Sequence, residues 1–259
     1  VVLLHGFGAD KDNWVRFVRH LPEEYRVIAI DLPGHGSSTR DAQTTYTIDF
    51  ITRGFAGAVD ALGLDQFHLA GNSMGGYVAV LYSFHNPDKV LTLGLIDPAG
   101  ATSSAPSDLQ LAIERGENPL VPKSREGFDT LMAYGFHKKP FIPWPITDVL
   151  ANRYIERSAF NEKMWKDIHD NWKDIAQYLG SLKMPVLLVW GEKDRILHVS
   201  SVSVYRRCIP QVKTVILENC GHVPMLELPK VAADRYASFL KGESPATVSQ
   251  QEPSPDVNL

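Results

Sequence analysis

Cysteine is scarce in this chain. Cys208 and Cys220 are the two present in 259 residues, too few for a disulfide framework and outside any metal-ligand spacing. Neither sign of charge dominates. The 26 Lys and Arg against 30 Asp and Glu leave −4, with no basic run, which excludes an electrostatic nucleic-acid surface. No apolar stretch nears the roughly 20 residues needed to cross a bilayer. A G-x-x-x-x-G-K-[ST] cradle is missing, and no G-x-G-x-x-G follows a strand, so there is no phosphate or dinucleotide loop. An initiator Met is missing too. Val1-Val2-Leu3-Leu4 opens directly on a strand-like run, so the expectation is a trimmed chain whose address signals are not visible. A place in the cytoplasm or at the periphery of a membrane is expected.

With 44% apolar and 22% charged residues, the composition is that of a globular chain with ample core, not a disordered one. Apolar runs rich in Val, Ile and Leu recur at Val1–Leu4, Val27–Ile30, Phe67–Ala70, Val90–Ile96, Val186–Trp190 and Thr214–Leu217. They are continuous, not alternating, as in strands buried on both faces of a parallel sheet. Helical periodicity fills the intervals. Ile48, Ile51, Phe55, Val59 and Leu62 share one helical face, with Thr47 as N-cap and Asp49 in the first turn. Pro229 suits a helix start, and Gly242 a stop after Phe239-Leu240. Strand and helix in alternation predict an α/β architecture of mostly parallel sheet flanked by helices.

The rhythm breaks between about 101 and 184, where no strand pattern occurs and five of the 17 prolines crowd between Pro119 and Pro145. Phe128, Leu131, Met132 and Phe136 mark one helical stripe there; Trp165, Ile168, Trp172, Ile175, Leu179 and Leu182 mark a longer one. The expected organisation is a core of 1–100 and 185–242 with a helical cap inserted at 101–184. The Pro/Ser/Gln-rich residues 243–259 are expected to be a disordered tail.

The run Phe67–Ala70 leads into Gly71-Asn72-Ser73-Met74-Gly75-Gly76, a G-x-S-x-G turn from strand to helix. Its glycines permit a turn too tight for a β-carbon. The serine hydroxyl then stands at a helix N-terminus, where N–H groups favour developing negative charge. A serine needs a base to become a nucleophile, and nine histidines compete. His222 follows Thr214–Leu217 in Asn219-Cys220-Gly221-His222, at the strand edge where open α/β sheets bind ligands. His85 sits at a helix end, His137 and His169 in the insertion and His68 within a strand; His5 suits a structural hydrogen bond better than a base. The acid that orients the imidazole has two candidates. Asp194 follows Val186–Trp190 in Gly191-Glu192-Lys193-Asp194, while Asp97 occupies the same edge one strand earlier. Asp31 is expected to serve its own turn. His5-Gly6-Phe7-Gly8 follows the first strand and is placed to aim backbone N–H at an oxyanion, Phe7 and Met74 being the expected donors. Cap residues Phe136, Phe141, Ile142 and Trp144, with Val223, are candidates to line an acyl site.

HGFG, GNSMGG, GEKD and NCGH, in that order, resemble the α/β-hydrolase family. The likeness spans the chain to about Gly242, and is similar in detail to its ester-hydrolysing branch of monoacylglycerol lipases and bacterial lipases or esterases. Asp31-Leu32-Pro33-Gly34-His35-Gly36 and Gly221-His222-Val223-Pro224-Met225 support it. The resemblance implies Ser73 as nucleophile, Asp194 as acid, His222 as base, an α/β-hydrolase fold with its N-terminal strands missing, no cofactor and no metal. It implies a small ester or lipid as substrate, short-to-medium acyl esters or monoacylglycerols. GNSMGG is also similar to hydrolases that cleave carbon–carbon bonds of ring-fission products. Those carry a Gly-Pro-Gly stretch after the first HG and a Trp after the catalytic His, where this chain has Gly6-Phe7-Gly8 and Val223. A member that binds ligand without turnover is the third reading.

Overall fold

A computed structural model describes residues 1–243 of the chain; the tail expected at 243–259 falls, but for its first residue, outside the described residues. Six parallel strands form one sheet in the order β2-β1-β3-β4-β5-β6: β1 Val2–Leu4, β2 Ile28–Ile30, β3 Phe67–Asn72, β4 Val90–Ile96, β5 Val186–Gly191 and β6 Lys213–Leu217. The registers carry Leu4 beside Ile30 and Gly71, and Gly191 beside Leu217, so the C-terminal ends of neighbouring strands lie level. β2, the Val27–Ile30 run, is one edge and β6 the other.

The continuous apolar runs follow from burial on both sides. Alternate strand residues enter opposite layers: Val2, Leu4, Leu69, Leu95, Leu188 and Trp190 on one face, Leu3, Ala70, Ile96, Leu187, Val189 and Val215 on the other. The first layer is covered by α2 (Ile48–Ala61), α3 (Met74–His85) and α9 (Val202–Cys208); the second by α11 (Pro229–Leu240) and by α1 (Val15–Val18), with α10 (Pro224–Glu227) beside them. Thr47 caps α2 by accepting the Phe50 N–H at 3.1 Å. Pro229 opens α11, and Gly242 ends it at φ +78, a left-handed stop that glycine takes without strain.

Among the described residues, the interval from Ile96 to Val186 holds helices and no strand: α4 Asp108–Glu114, α5 Arg125–Gly135, α6 Ile146–Glu156, α7 Ser158–Asp170 and α8 Ala176–Leu179. The stripe from Trp165 to Leu182 is not one helix. α7 stops at Asp170, and residues 171–175 are pulled onto the core by tertiary hydrogen bonds. Tyr77 donates to the Lys173 carbonyl at 2.6 Å, the Ile175 N–H to Gly100 at 2.9 Å, and the Thr102 hydroxyl to Asp174 at 2.6 Å. Helical periodicity survives the break because Ile168, Ile175, Leu179 and Leu182 all bury their side chains in the same layer.

Candidate active site

The Gly-Asn-Ser-Met-Gly turn is built by close backbone approach. A β-carbon on Gly71 would stand 2.2 Å from the Gly75 carbonyl oxygen, and one on Gly75 2.4 Å from that of Leu4. Ser73 is forced to φ +55, a region L-residues rarely occupy. Hydrogen bonds hold it there: its N–H donates to Ile96 at 3.1 Å, and its carbonyl accepts from Ala99 at 2.9 Å. Asn72, a spacer in the sequence motif, ties the turn to its surroundings. Its amide donates to the carbonyls of Ile96 at 3.0 Å and His222 at 3.1 Å, which fixes the loop after β6 against the end of β3.

His222 and Asp194 meet at that edge. The imidazole Nδ1 lies 2.7 Å from Asp194 Oδ2, with both residues buried. The other oxygen, Oδ1, accepts the N–H groups of Ile196 at 2.8 Å and Leu197 at 2.9 Å. Three donors thus converge on this carboxylate. Since Nδ1–H points at a carboxylate, Nε2 is the nitrogen left to accept a proton. At the end of α5 the Gly135 carbonyl accepts the His222 N–H at 2.9 Å, and from α10 Glu227 accepts the Gly221 N–H at 2.9 Å and the His137 N–H at 3.1 Å. Sequence reading missed Glu227 and Asn72, since both act through main chain and carry no motif of their own.

Asp97 is also buried here, but its Oδ1 accepts from the Gly191 N–H at 2.8 Å; it is Asp194 that meets the imidazole. One oxygen or nitrogen of each of Asp97, Asp194 and His222 lies within 4.8 Å of the others. As a cation pocket the cluster fits poorly. Asp194 is already engaged by two N–H groups and the imidazole, which leaves Asp97 Oδ2 and His222 Nε2, fewer ligands than a bound cation needs.

Ser73 and His222 open on one cavity of about 500 Å³ whose wall includes Gly6, Phe7 and Asn72. Gly6 lies against the serine: its absent β-carbon would be 3.1 Å from Ser73 Cβ. Met74 follows Ser73 as the first residue of α3. His5 serves the frame, with Nδ1 2.8 Å from the Gly6 carbonyl and Nε2 accepting the Leu32 N–H at 3.1 Å. Burial holds its imidazole below the usual histidine range. Asp31 serves its turn, accepting the N–H of Lys11 at 2.8 Å and of Ser37 at 2.9 Å. His68 is half-buried beside Thr92 Oγ1 at 2.9 Å, and His85 is exposed.

Most of the remaining cavity wall is apolar. Phe136, Ile142 and Val223 line it, together with Phe128, Leu131, Met132, Val149 and Leu150 from α5 and α6. Phe141 and Trp144 do not line it; they are 90% and 79% exposed. Neighbouring residues of this short segment point to opposite sides, and Trp144 donates its indole N–H to Asp148 at 2.7 Å on the outside. The wall carries the ion pair of Arg153 with Asp10 at 3.3 Å and includes Arg157.

A parallel sheet, a strained serine between β3 and α3, and a buried acid–imidazole pair at the same edge define an α/β hydrolase. Residues 1–235 match the alpha/beta hydrolase family, and the chain belongs to it. The chain is 35% identical over 242 residues to "Lipase 1" of Psychrobacter immobilis, covering 92% of this chain and 76% of that protein. It is 30% identical over 251 residues to human "Monoacylglycerol lipase ABHD6", covering 93% and 74%. Among solved structures, a "membrane phospholipase A, a novel bacterial virulence factor" superposes with a TM-score of 0.91 at 42% identity, covering 95% of this chain and 79% of that one. The chain is a hydrolase of the lipase and esterase type.

Proposed function

We propose that this protein is a carboxylic ester hydrolase in which Ser73 is the nucleophile, His222 the base and Asp194 the acid that orients it. Ser73 Oγ attacks the acyl carbonyl as His222 Nε2 accepts its proton; the imidazolium then protonates the departing alcohol. Water, deprotonated by the same nitrogen, opens the acyl-enzyme and releases the carboxylic acid, returning the proton to Ser73. Asp194 stays ionised throughout and stabilises the imidazolium from Nδ1. The N–H groups of Phe7 and Met74 receive the oxyanion, a contribution of about 3 kcal/mol for each such donor.

The observation that carries this reading is the buried 2.7 Å contact of His222 with Asp194 beside a cavity that Ser73 also lines. The apolar wall from α5 and α6 supports an aliphatic acyl group, and short-to-medium acyl esters or monoacylglycerols as substrates. The helices between β4 and β5 would then act as the cap. The test is a panel of p-nitrophenyl esters of graded length, with a fluorophosphonate probe to report on Ser73. Hydrolysis and labelling that both vanish in Ser73→Ala support the proposal. Undiminished turnover by folded Ser73→Ala overturns it. Folded wild-type protein that neither hydrolyses nor labels supports a binding role instead.

A further inference from the structure

Beside the acid–imidazole pair lies a second acid to which the proposed reaction gives no task. Asp97 follows β4, the strand next to the one that leads to Asp194, and its exposure is 0%. Its backbone is held at φ +42, in the left-handed region. Oδ1 is occupied by the Gly191 N–H at 2.8 Å, whereas Oδ2 meets no donor among the described residues. What it has for company is the Asp194 carboxylate and the His222 ring, the three residues each placing an atom within 4.8 Å of the others.

Two buried carboxyls within 4.8 Å of each other repel when both are charged, which favours keeping a proton on one of them. The surrounding donors decide which. Asp194 receives three, from Ile196, Leu197 and His222, and Asp97 receives one. The remaining neighbours favour the same answer. Glu227 adds negative charge from α10, and the Cys220 thiol, pushed up by burial and by the same acids, stays uncharged. Burial first, then the charge of Asp194, pushes the Asp97 carboxyl well above the usual carboxylate range.

We propose that Asp97 is a protonated positioning residue whose Oδ2–H donates to the Asp194 carboxylate and so holds the acid that orients His222. This rests on the assignment of Asp194 and His222 given above. The proton stays on Asp97 through turnover. Its hydrogen bond restrains Asp194 from turning away from Nδ1, and it spreads the carboxylate charge, which weakens the hold of that charge on the imidazolium.

The test compares two substitutions in the otherwise intact chain. Asp97→Ala removes the donor, and is expected to lower kcat about tenfold with KM little changed, the scale of one hydrogen bond to a charged group. The acid limb of its kcat/KM profile should move to higher pH, because an unshared Asp194 charge holds the imidazolium more tightly. Asp97→Asn keeps one acceptor for Gly191 and one donor for Asp194, and is expected to rescue both kcat and the profile. A merely structural role would lower the melting midpoint of both variants without moving the limb. An ionised Asp97 predicts instead that Asp97→Asn shifts the limb downward by about one unit through loss of a negative charge, and that result overturns the proposal. Should Asp97→Ala fail to fold, infrared difference spectra of wild type against Asp97→Asn decide. A protonated carboxyl band at neutral pH, absent in the variant, supports the proposal, and no such band refutes it. That band is independent of turnover. If Ser73→Ala and Asp194→Asn both remain fully active, it is the ester-hydrolase reading that fails.

Discussion

A β-carbon on Gly191 would stand 2.0 Å from the carbonyl oxygen of Gly221. The end of β5 and the turn that carries His222 thus touch backbone to backbone, and Lys193 donates its N–H to Cys220 at 2.8 Å alongside. This contact, more than any side chain, sets how far Asp194 stands from His222. Backbone cannot rotate aside as a side chain can, so Gly191→Ala must push the two loops apart. It is expected to destabilise the fold by about 3 kcal/mol, within the upper range for overpacking. It should also lower kcat at least tenfold at temperatures where the variant is folded. Urea unfolding and ester kinetics on the same preparation check both halves.

Ser73 carries a backbone strain that its proposed role as nucleophile would explain. At φ +55 and ψ −120 a β-carbon is unfavourable and glycine is not. Ser73→Ala and Ser73→Gly should both lose about four orders of magnitude in kcat/KM. Ser73→Gly should nonetheless be more stable than Ser73→Ala by about 1 kcal/mol, which for a chain of this size is about 3 °C in melting midpoint. Equal midpoints for the two would mean that the turn is relaxed.

All six strands were legible in the sequence as short Val/Ile/Leu-rich runs; those of the inner strands follow from burial on both sheet faces, whereas the edges are more open, β2 half-buried and Ile216 of β6 exposed. The serine turn and the His222 turn were legible for a related reason: the glycines at 71, 75 and 221 mark places where a β-carbon would collide with backbone. Strand pattern alone leaves Asp97 and Asp194 both possible, since they end neighbouring strands; the resemblance points to Asp194, and the structure puts Asp194 on the imidazole and Asp97 on Gly191. Local pattern also failed where tertiary bonds override it, as at residues 171–175. It failed again where alternate residues of an irregular segment part company: Ile142 faces the cavity, and Phe141 faces out.

Acid should loosen the frame before it reaches the carboxylates. His35 is buried, with Nδ1 3.0 Å from the Pro33 carbonyl and its ring 5.1 Å from that of His5. Burial first, then the neighbouring His5, pushes it down from 6.5 to about 3. Between those values the unfolded chain binds a proton that the folded one refuses, so stability is fully present above about pH 6.5 and declines as pH falls. One such histidine accounts for about 2 kcal/mol by pH 5. Burial depresses His5 in the same direction. His35→Gln keeps a donor for Pro33 and removes the titration. Its unfolding free energy should therefore fall less steeply between pH 7 and pH 5 than that of the wild type, and parallel slopes would remove His35 from the account.

On the proposed reaction, the wall contributed by α5 is expected to set which ester fits. Each acyl methylene that leaves water for an apolar cavity contributes up to about 0.8 kcal/mol, close to fourfold in kcat/KM where the gain is realised in the transition state. Rate should therefore climb with chain length until the cavity of about 500 Å³ is filled, and then level off or fall. Leu131 lines this cavity from α5. Leu131→Trp adds bulk to the wall and leaves Ser73, His222 and Asp194 in place. Its kcat/KM on an acetate or butyrate ester should stay within about threefold of wild type, while that on a decanoate or dodecanoate ester falls about tenfold or more, the loss of roughly two buried methylenes. The measurement is the ratio of the two substrates on one enzyme preparation, which cancels any difference in the active fraction. A ratio unchanged by the tryptophan would place the acyl chain elsewhere, against the wall from α6 or outside the cavity altogether.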